Sequence, residues 1–262
     1  MSAIDMIIDT HTHIYQRGSG GPFNLPATVD DLVRQMDQHD VDMSVVIPLP
    51  GVASNLFVSG ECERFPDRLS YLYTPELDEP RETILKMQRF FEEYSARGIK
   101  IHPRLQGVSV NDTLVEEILD FALTQKYPVV FDVFPFGPDF SDPRQQPAMY
   151  NYLAQKMPTL TIILAHAGGY KIMEAFLTAK ANLNIVLEIS ITPSYFSGSS
   201  VTEDLKFVCQ RLPEGRIMYG SDYPEVTMAE SLKQARIITK NLNKNKLSAL
   251  YSETAKRIFK LN

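Results

Sequence analysis

Two histidines stand two residues apart where a short apolar strand ends, in Ile7-Ile8-Asp9-Thr10-His11-Thr12-His13. On an extended backbone, side chains at i and i+2 leave the same face, so both imidazoles point one way. Such a pair is half of a tetrahedral metal site, and neutral imidazole suits zinc, iron or copper better than magnesium or calcium. The plain alternative is two solvated rings in a turn. A second element near the other end, Arg216-Ile217-Met218-Tyr219-Gly220-Ser221-Asp222-Tyr223-Pro224, carries Asp222 into a turn and could complete the site.

The remaining polar residues repeat the pattern. Of the five histidines, His11, His13, His102 and His166 each fall at the C-terminal end of an expected strand, and His39 alone reads as a helix-end residue. Two carboxylates, Asp132 and Glu188, interrupt strands that are otherwise apolar. A buried, unpaired carboxylate costs several kcal/mol, so each is expected to meet a cation or carry a proton. Asp132 could instead cap the turn that follows it, and Glu188 is as well suited to a structural ion pair as to a site. Lys100 and His102 share a face two residues apart, and Arg104 and Arg17 are candidate clamps for a substrate carboxylate.

These residues need a scaffold that brings strand ends together. Short runs rich in Val, Ile and Leu, at 6–9, 43–48, 70–74, 98–102, 128–133, 160–166, 184–190 and 216–220, alternate with helical patterns. Those helical patterns include 28–38, 81–96, 112–125, 146–156, 201–211 and 228–241. This is the βαβα signature of a parallel sheet. Eight units in 262 residues are about 33 residues each, the size expected of a (β/α)₈ TIM barrel in a single domain over 1–262. A doubly wound open sheet is the structural alternative. Connections into the strands are short, whereas those leaving them at 14–27, 134–147 and 192–200 are long, and barrel enzymes build their sites from such loops. The aromatic stretch 134–140 reads as a rim or lid.

Composition sets the outer limits. The chain is 44% hydrophobic and 22% charged, with a net charge of -6, which speaks against nucleic acid or an anionic membrane and for a small-molecule partner. Self-association stays open. Cys62 and Cys209 form no CxxC pair and read as reduced thiols. No secretory leader or spanning segment is expected, which makes the cytoplasm the expected location.

At this point the chain resembles the amidohydrolase superfamily, in its amidohydrolase-related group of small metal-dependent hydrolases, lactonases and nonoxidative decarboxylases. Asp9-Thr10-His11-Thr12-His13 resembles the strand-one HxH motif, Gly98-Ile99-Lys100-Ile101-His102-Pro103 the strand-four segment, and Leu164-Ala165-His166-Ala167-Gly168-Gly169 the strand-six histidine. Tyr219-Gly220-Ser221-Asp222-Tyr223-Pro224 is similar to the strand-eight aspartate, and Glu253-Thr254-Ala255-Lys256-Arg257-Ile258-Phe259 to the family's last helix. The resemblance implies a barrel with His11, His13 and Asp222 as metal ligands and His166 as the residue that orients or deprotonates water. Where the family usually ends strand five with a histidine ligand, this chain has Asp132, which adds negative charge and shifts preference from Zn²⁺ toward Mn²⁺ or Fe²⁺.

The expectation is therefore one divalent ion, zinc first, held by His11, His13, Asp132 and Asp222. Asp222 and His166 handle the proton, and Lys100, His102 and Arg104 bind substrate. The reaction expected is hydrolysis of an amide, lactone or ester of a small acid by metal-activated water. A decarboxylase of an aromatic or enoic acid and a degenerate, ligand-binding barrel are the alternatives.

Overall fold

The computed structural model describes residues 4–20, 25–77, 79–137 and 141–261. Its frame is eight parallel strands: β1 (Ile8–Thr12), β2 (Met43–Val46), β3 (Leu69–Tyr71), β4 (Ile99–Ile101), β5 (Val129–Asp132), β6 (Ile162–Ala165), β7 (Ile185–Glu188) and β8 (Ile217–Met218). They form two arcs, β1-β2-β3 and β4-β5-β6-β7-β8. Two looser seams close them into a ring. Tyr73 bridges Ile99, with the Lys100 amide donating to the Tyr73 carbonyl at 2.8 Å, and Thr12 bridges Tyr223, with the His13 amide donating to the Tyr223 carbonyl at 2.7 Å. The chain is thus the expected (β/α)₈ barrel and not an open sheet.

Alternation along the strands sorts the side chains into two apolar layers. Val129, Phe131, Ile162, Leu164, Ile185 and Leu187 face the surrounding helices, while Val130, Ile163 and Val186 join Ile8, Met43, Val45 and Met218 inside. Two residues after Val130 and Val186, the same inward rows carry Asp132 and Glu188, because the period of a strand is two. The closing helix, Thr254–Phe259, puts Ala255, Ile258 and Phe259, with Leu261, into the inner cluster. One end of the barrel is sealed by apolar packing, and the polar row lies at the other.

The helices start where the chain supplies caps. Val29–Gln38 opens with a capping box between Thr28 and Asp31, and Met228–Thr239 opens on Thr227, whose side chain accepts from the Glu230 amide. Helices at Asn55–Cys62 and Ile172–Ala181 add to those expected from the sequence. Among the described residues no helix is long and apolar enough to cross a membrane. Of the expected aromatic rim, Pro138, Asp139 and Phe140 lie outside the described residues.

Candidate metal centre and active site

His11 and His13 leave β1 and its continuation toward the barrel mouth, both buried, with ring centroids 5.2 Å apart. The far nitrogen of each is occupied. His13 Nδ1 lies 2.8 Å from the Ile47 carbonyl, which can only accept, so Nδ1 carries a proton and Nε2 is the nitrogen left to face a ligand. His11 Nδ1 lies 2.8 Å from Glu188 Oε2 and is fixed in the same sense. Asp222 Oδ1 stands 3.3 Å from His13 Nε2 and 3.6 Å from His11 Nε2. Burial, then the neighbouring Lys100, His166, His13 and His102 charges, hold His11 well below its ordinary value and hence neutral. His11 Nε2, His13 Nε2 and Asp222 Oδ1 thus converge on one point, where a divalent cation could draw on all three. The second nitrogen of each ring donates to a carbonyl or carboxylate, as metal-bound imidazoles do. The donor set therefore fits a metal ion, and the ligand atoms of His11, His13 and Asp222 all lie within 4.8 Å of one another.

Backbone geometry at the mouth is unusual for side-chain-bearing residues. His166, Ile191 and Asp222 have φ of 60°, 51° and 68° in the left-handed region, each directly after a barrel strand or one turn beyond it. Asp9 holds β1 and the β8 extension together: its Oδ1 accepts from the amides of His11 (3.1 Å) and Ser221 (2.8 Å), next to two of the expected ligands. Its Oδ2 is buried without a hydrogen-bond partner, and burial raises the carboxyl to about 7.

Asp132 is placed differently from the other expected ligands. Its Oδ2 is 2.9 Å from His166 Nε2, 3.3 Å from His102 Nε2 and 4.0 Å from Lys100 Nζ. Burial alone pushes the Asp132 carboxyl up, but His102, His166 and Lys100 together outweigh it and hold it well below the carboxylate range. Asp132 is thus brought to the histidines of β4 and β6, and the three-donor cluster forms without it.

His166 is the junction of the site. Ser190 Oγ donates to Glu188 Oε2 at 2.7 Å, which leaves its lone pairs to receive His166 Nδ1–H at 2.7 Å, while Nε2–H goes to Asp132. Both ring nitrogens then donate, the pattern of an imidazolium. Burial disfavours that charge, but Asp132, its hydrogen bond and Asp222 prevail, and His166 is raised above its ordinary value. The chain Asp132–His166–Ser190–Glu188–His11 links the histidine expected to handle protons to a candidate ligand. Glu188 belongs to this site, and Ser190, which sequence reasoning missed, is its bridge. Neither role is visible along the chain, since Glu188 meets His11 across 177 positions.

The mouth is a cavity of about 230 Å³, lined by His11, His13, Lys100, His102, Asp132, His166 and Asp222 and by apolar side chains that include Ile47, Leu105, Phe134 and Phe136. Lys100 Nζ and Arg104 Nε, both belonging to residues that line it, are buried without a hydrogen-bond partner. Burial lowers Lys100 against the pull of Asp132, Glu188 and Asp222. His102, also by burial, falls to about 3. The Arg104 guanidinium lies 5.6 Å from the Phe136 ring centroid. Arg17 lines a neighbouring polar cleft instead, together with Gln16, Asn55 and Gln106.

The barrel has many structural neighbours. An uncharacterised TIM-barrel protein from Bordetella bronchiseptica superposes with a TM-score of 0.83 at 16% identity, over 98% of this chain and 99% of that one. A probable 2-pyrone-4,6-dicarboxylic acid hydrolase from Acinetobacter baumannii, with citric acid bound, gives 0.73 at 14% identity, over 97% and 99%. A 5-carboxyvanillate decarboxylase from Novosphingobium aromaticivorans, a D314N variant with bound manganese and 3-methoxy-4-hydroxy-5-nitrobenzoic acid, gives 0.73 at 15% identity, over 98% and 97%. At such identities these likenesses speak for the fold. None of the curated proteins matches the chain. The amidohydrolase family model matches residues 8–261, from the first barrel strand to the closing helix, and the protein belongs to that family.

Proposed function

We propose that the protein is a metal-dependent hydrolase that adds water to the carbonyl of a small acidic amide, lactone or ester. The observation that carries this reading is the convergence of His11 Nε2, His13 Nε2 and Asp222 Oδ1, with both Nδ1 atoms already bonded elsewhere. A divalent ion held there, zinc by the preference of imidazole and carboxylate donors, would supply Lewis acidity and lower the pKa of water.

The chain's own residues do the rest. As water forms its bond to the carbonyl carbon, its proton passes to Asp222, whose carboxyl is held below its ordinary range: burial opposes this, but His13, His166 and Lys100 outweigh it. When the carbon–nitrogen or carbon–oxygen bond then breaks, Asp222 returns that proton to the leaving atom. His166, kept cationic by Asp132 with its ring centroid 4.7 Å from that of His11, stabilises negative charge growing on the substrate oxygen. Arg104 and Lys100, whose Nε and Nζ respectively are buried without a hydrogen bond, receive the substrate's carboxylate, and the apolar walls exclude water from its body. A decarboxylase reading is favoured by one observation, the aromatic wall of Phe134 and Phe136, which suits a flat acid. Identification of the product, free carbon dioxide or a hydrolysed bond, separates the two.

Metal analysis tests the centre. Wild-type protein is expected to carry about one divalent ion per chain, and His11→Ala to lose most of it. Unchanged metal content in His11→Ala overturns the reading.

A further inference from the structure

The mechanism leaves Glu225 without a task. It follows β8 and Asp222, lines the same cavity as the candidate ligands, and is half-buried. Tyr15 donates its hydroxyl to Glu225 Oε1 at 2.8 Å, and that ring is itself buried, so the carboxylate is held in one orientation. Its other oxygen, Oε2, is buried and has no hydrogen-bond partner. An acceptor so placed is costly to leave unmatched, and a ligand that brings a donor relieves the cost.

Arg104 stands across the mouth. It follows β4, four strands from β8 in the ring, hence on the opposite side. A substrate carboxylate drawn to Arg104 is thereby kept away from Glu225 and Asp222. The reacting carbonyl, over His11, His13 and Asp222, lies at the Glu225 end. The group attached to that carbonyl is then the one Glu225 reads.

We infer that Glu225 Oε2 accepts a hydrogen bond from an N–H beside the scissile carbonyl, so that the site takes amides or lactams of small carboxylic acids and rejects the matching esters or lactones. An ester oxygen in the same place would set its lone pairs against those of the carboxylate. Burial, and then the nearby Asp222 charge, raise Glu225 although the Tyr15 hydrogen bond lowers it, as expected of a carboxylate short of donors. Sites built to bond an N–H discriminate strongly against analogues that lack it. The inference rests on the metal-dependent hydrolase reading.

Two probes differ only at this atom: 5-oxopyrrolidine-2-carboxylate, the lactam, and 5-oxotetrahydrofuran-2-carboxylate, the lactone. Their affinities for the zinc-loaded protein, measured by calorimetry, are expected to favour the lactam by about 10-fold or more. Glu225→Ala should bring the ratio to within about twofold through loss of lactam affinity, and Glu225→Gln, whose carbonyl still accepts, should keep part of the preference. A ratio that Glu225→Ala leaves unchanged, or a wild-type protein that binds zinc but does not prefer the lactam, overturns the assignment and leaves the hydrolase reading standing. Wild-type protein that holds no metal overturns both.

Discussion

Asp132 shows how one residue's neighbours decide its role. At the end of β5 it is one of the metal ligands expected from the sequence, yet its carboxylate meets His166, His102 and Lys100. We therefore assign it the task of charging His166. The pH consequence follows from the direction of each shift. His166 is raised in the folded state, so its contribution to stability is full below its unfolded value, near 6.5, and is lost as pH rises through the higher folded one. Asp132 is held low, so its contribution is present above its unfolded value, near 3.8, and is lost as pH falls through the lower folded one. The pair is most stabilising between those limits. Asp132→Asn keeps an acceptor for His166 but removes the charge. It should move the basic limb of the pH–rate profile down by about one unit or more and cut turnover by roughly 10², while metal content stays within about twofold. A tenfold loss of metal affinity would return Asp132 to the ligand set.

Gly220, in the extension of β8, marks where elements meet most tightly. A Cβ there would collide with the Glu188 carboxylate and come within 2.8 Å of His11 Cβ. Gly220→Ala must push β8 away from β1 or turn Glu188 off His11. It is expected to cost about 1–3 kcal/mol of stability and to weaken metal binding about 10-fold, measured by thermal unfolding and metal titration. Full metal affinity in that variant would show that Glu188 does not orient His11. The elements themselves were legible: each of the eight apolar runs overlaps one barrel strand, since a buried parallel strand needs an unbroken apolar stretch, although β1 runs on to Thr12 and β3 begins at Leu69. His102 and His166 could be read as site residues because strand ends converge in a barrel. Ser190 and Asp9 could not, because their significance lies in contacts across the ring, and small or acidic residues at strand ends are ordinary in any sheet. Nor does sequence position separate the donor trio from Asp132, since all four stand at strand ends and a fraction of a turn decides which oxygen faces which ring.

Across the whole molecule, stability and chemistry are assigned to opposite ends. The sealed end is apolar, with Phe259, Ile258, Ala255 and Leu261 packed among the inner side chains of β1, β2, β5, β6, β7 and β8. The open end carries the histidines, the carboxylates and Lys100, a group whose burial is compensated by mutual pairing and, on our reading, by the ion. Residues at the sealed end should therefore act on folding and leave the site alone, the division expected of barrel enzymes. Phe259 is almost fully buried, so Phe259→Ala removes a large side chain from a closed space and should cost about 3–5 kcal/mol. For a chain of this length that lowers Tm by roughly 6–20 °C. Metal affinity measured well below the new Tm should stay within about twofold of wild type, because Phe259 does not line the cavity that holds the candidate ligands. Chelation acts from the open end: Tm should fall with the logarithm of the free metal concentration, and Phe259→Ala should show the same dependence from a lower starting point. A Phe259→Ala protein that keeps its fold but loses metal would mean that the two ends are coupled through the strands, and that the closing helix helps to set the positions of His11 and His13.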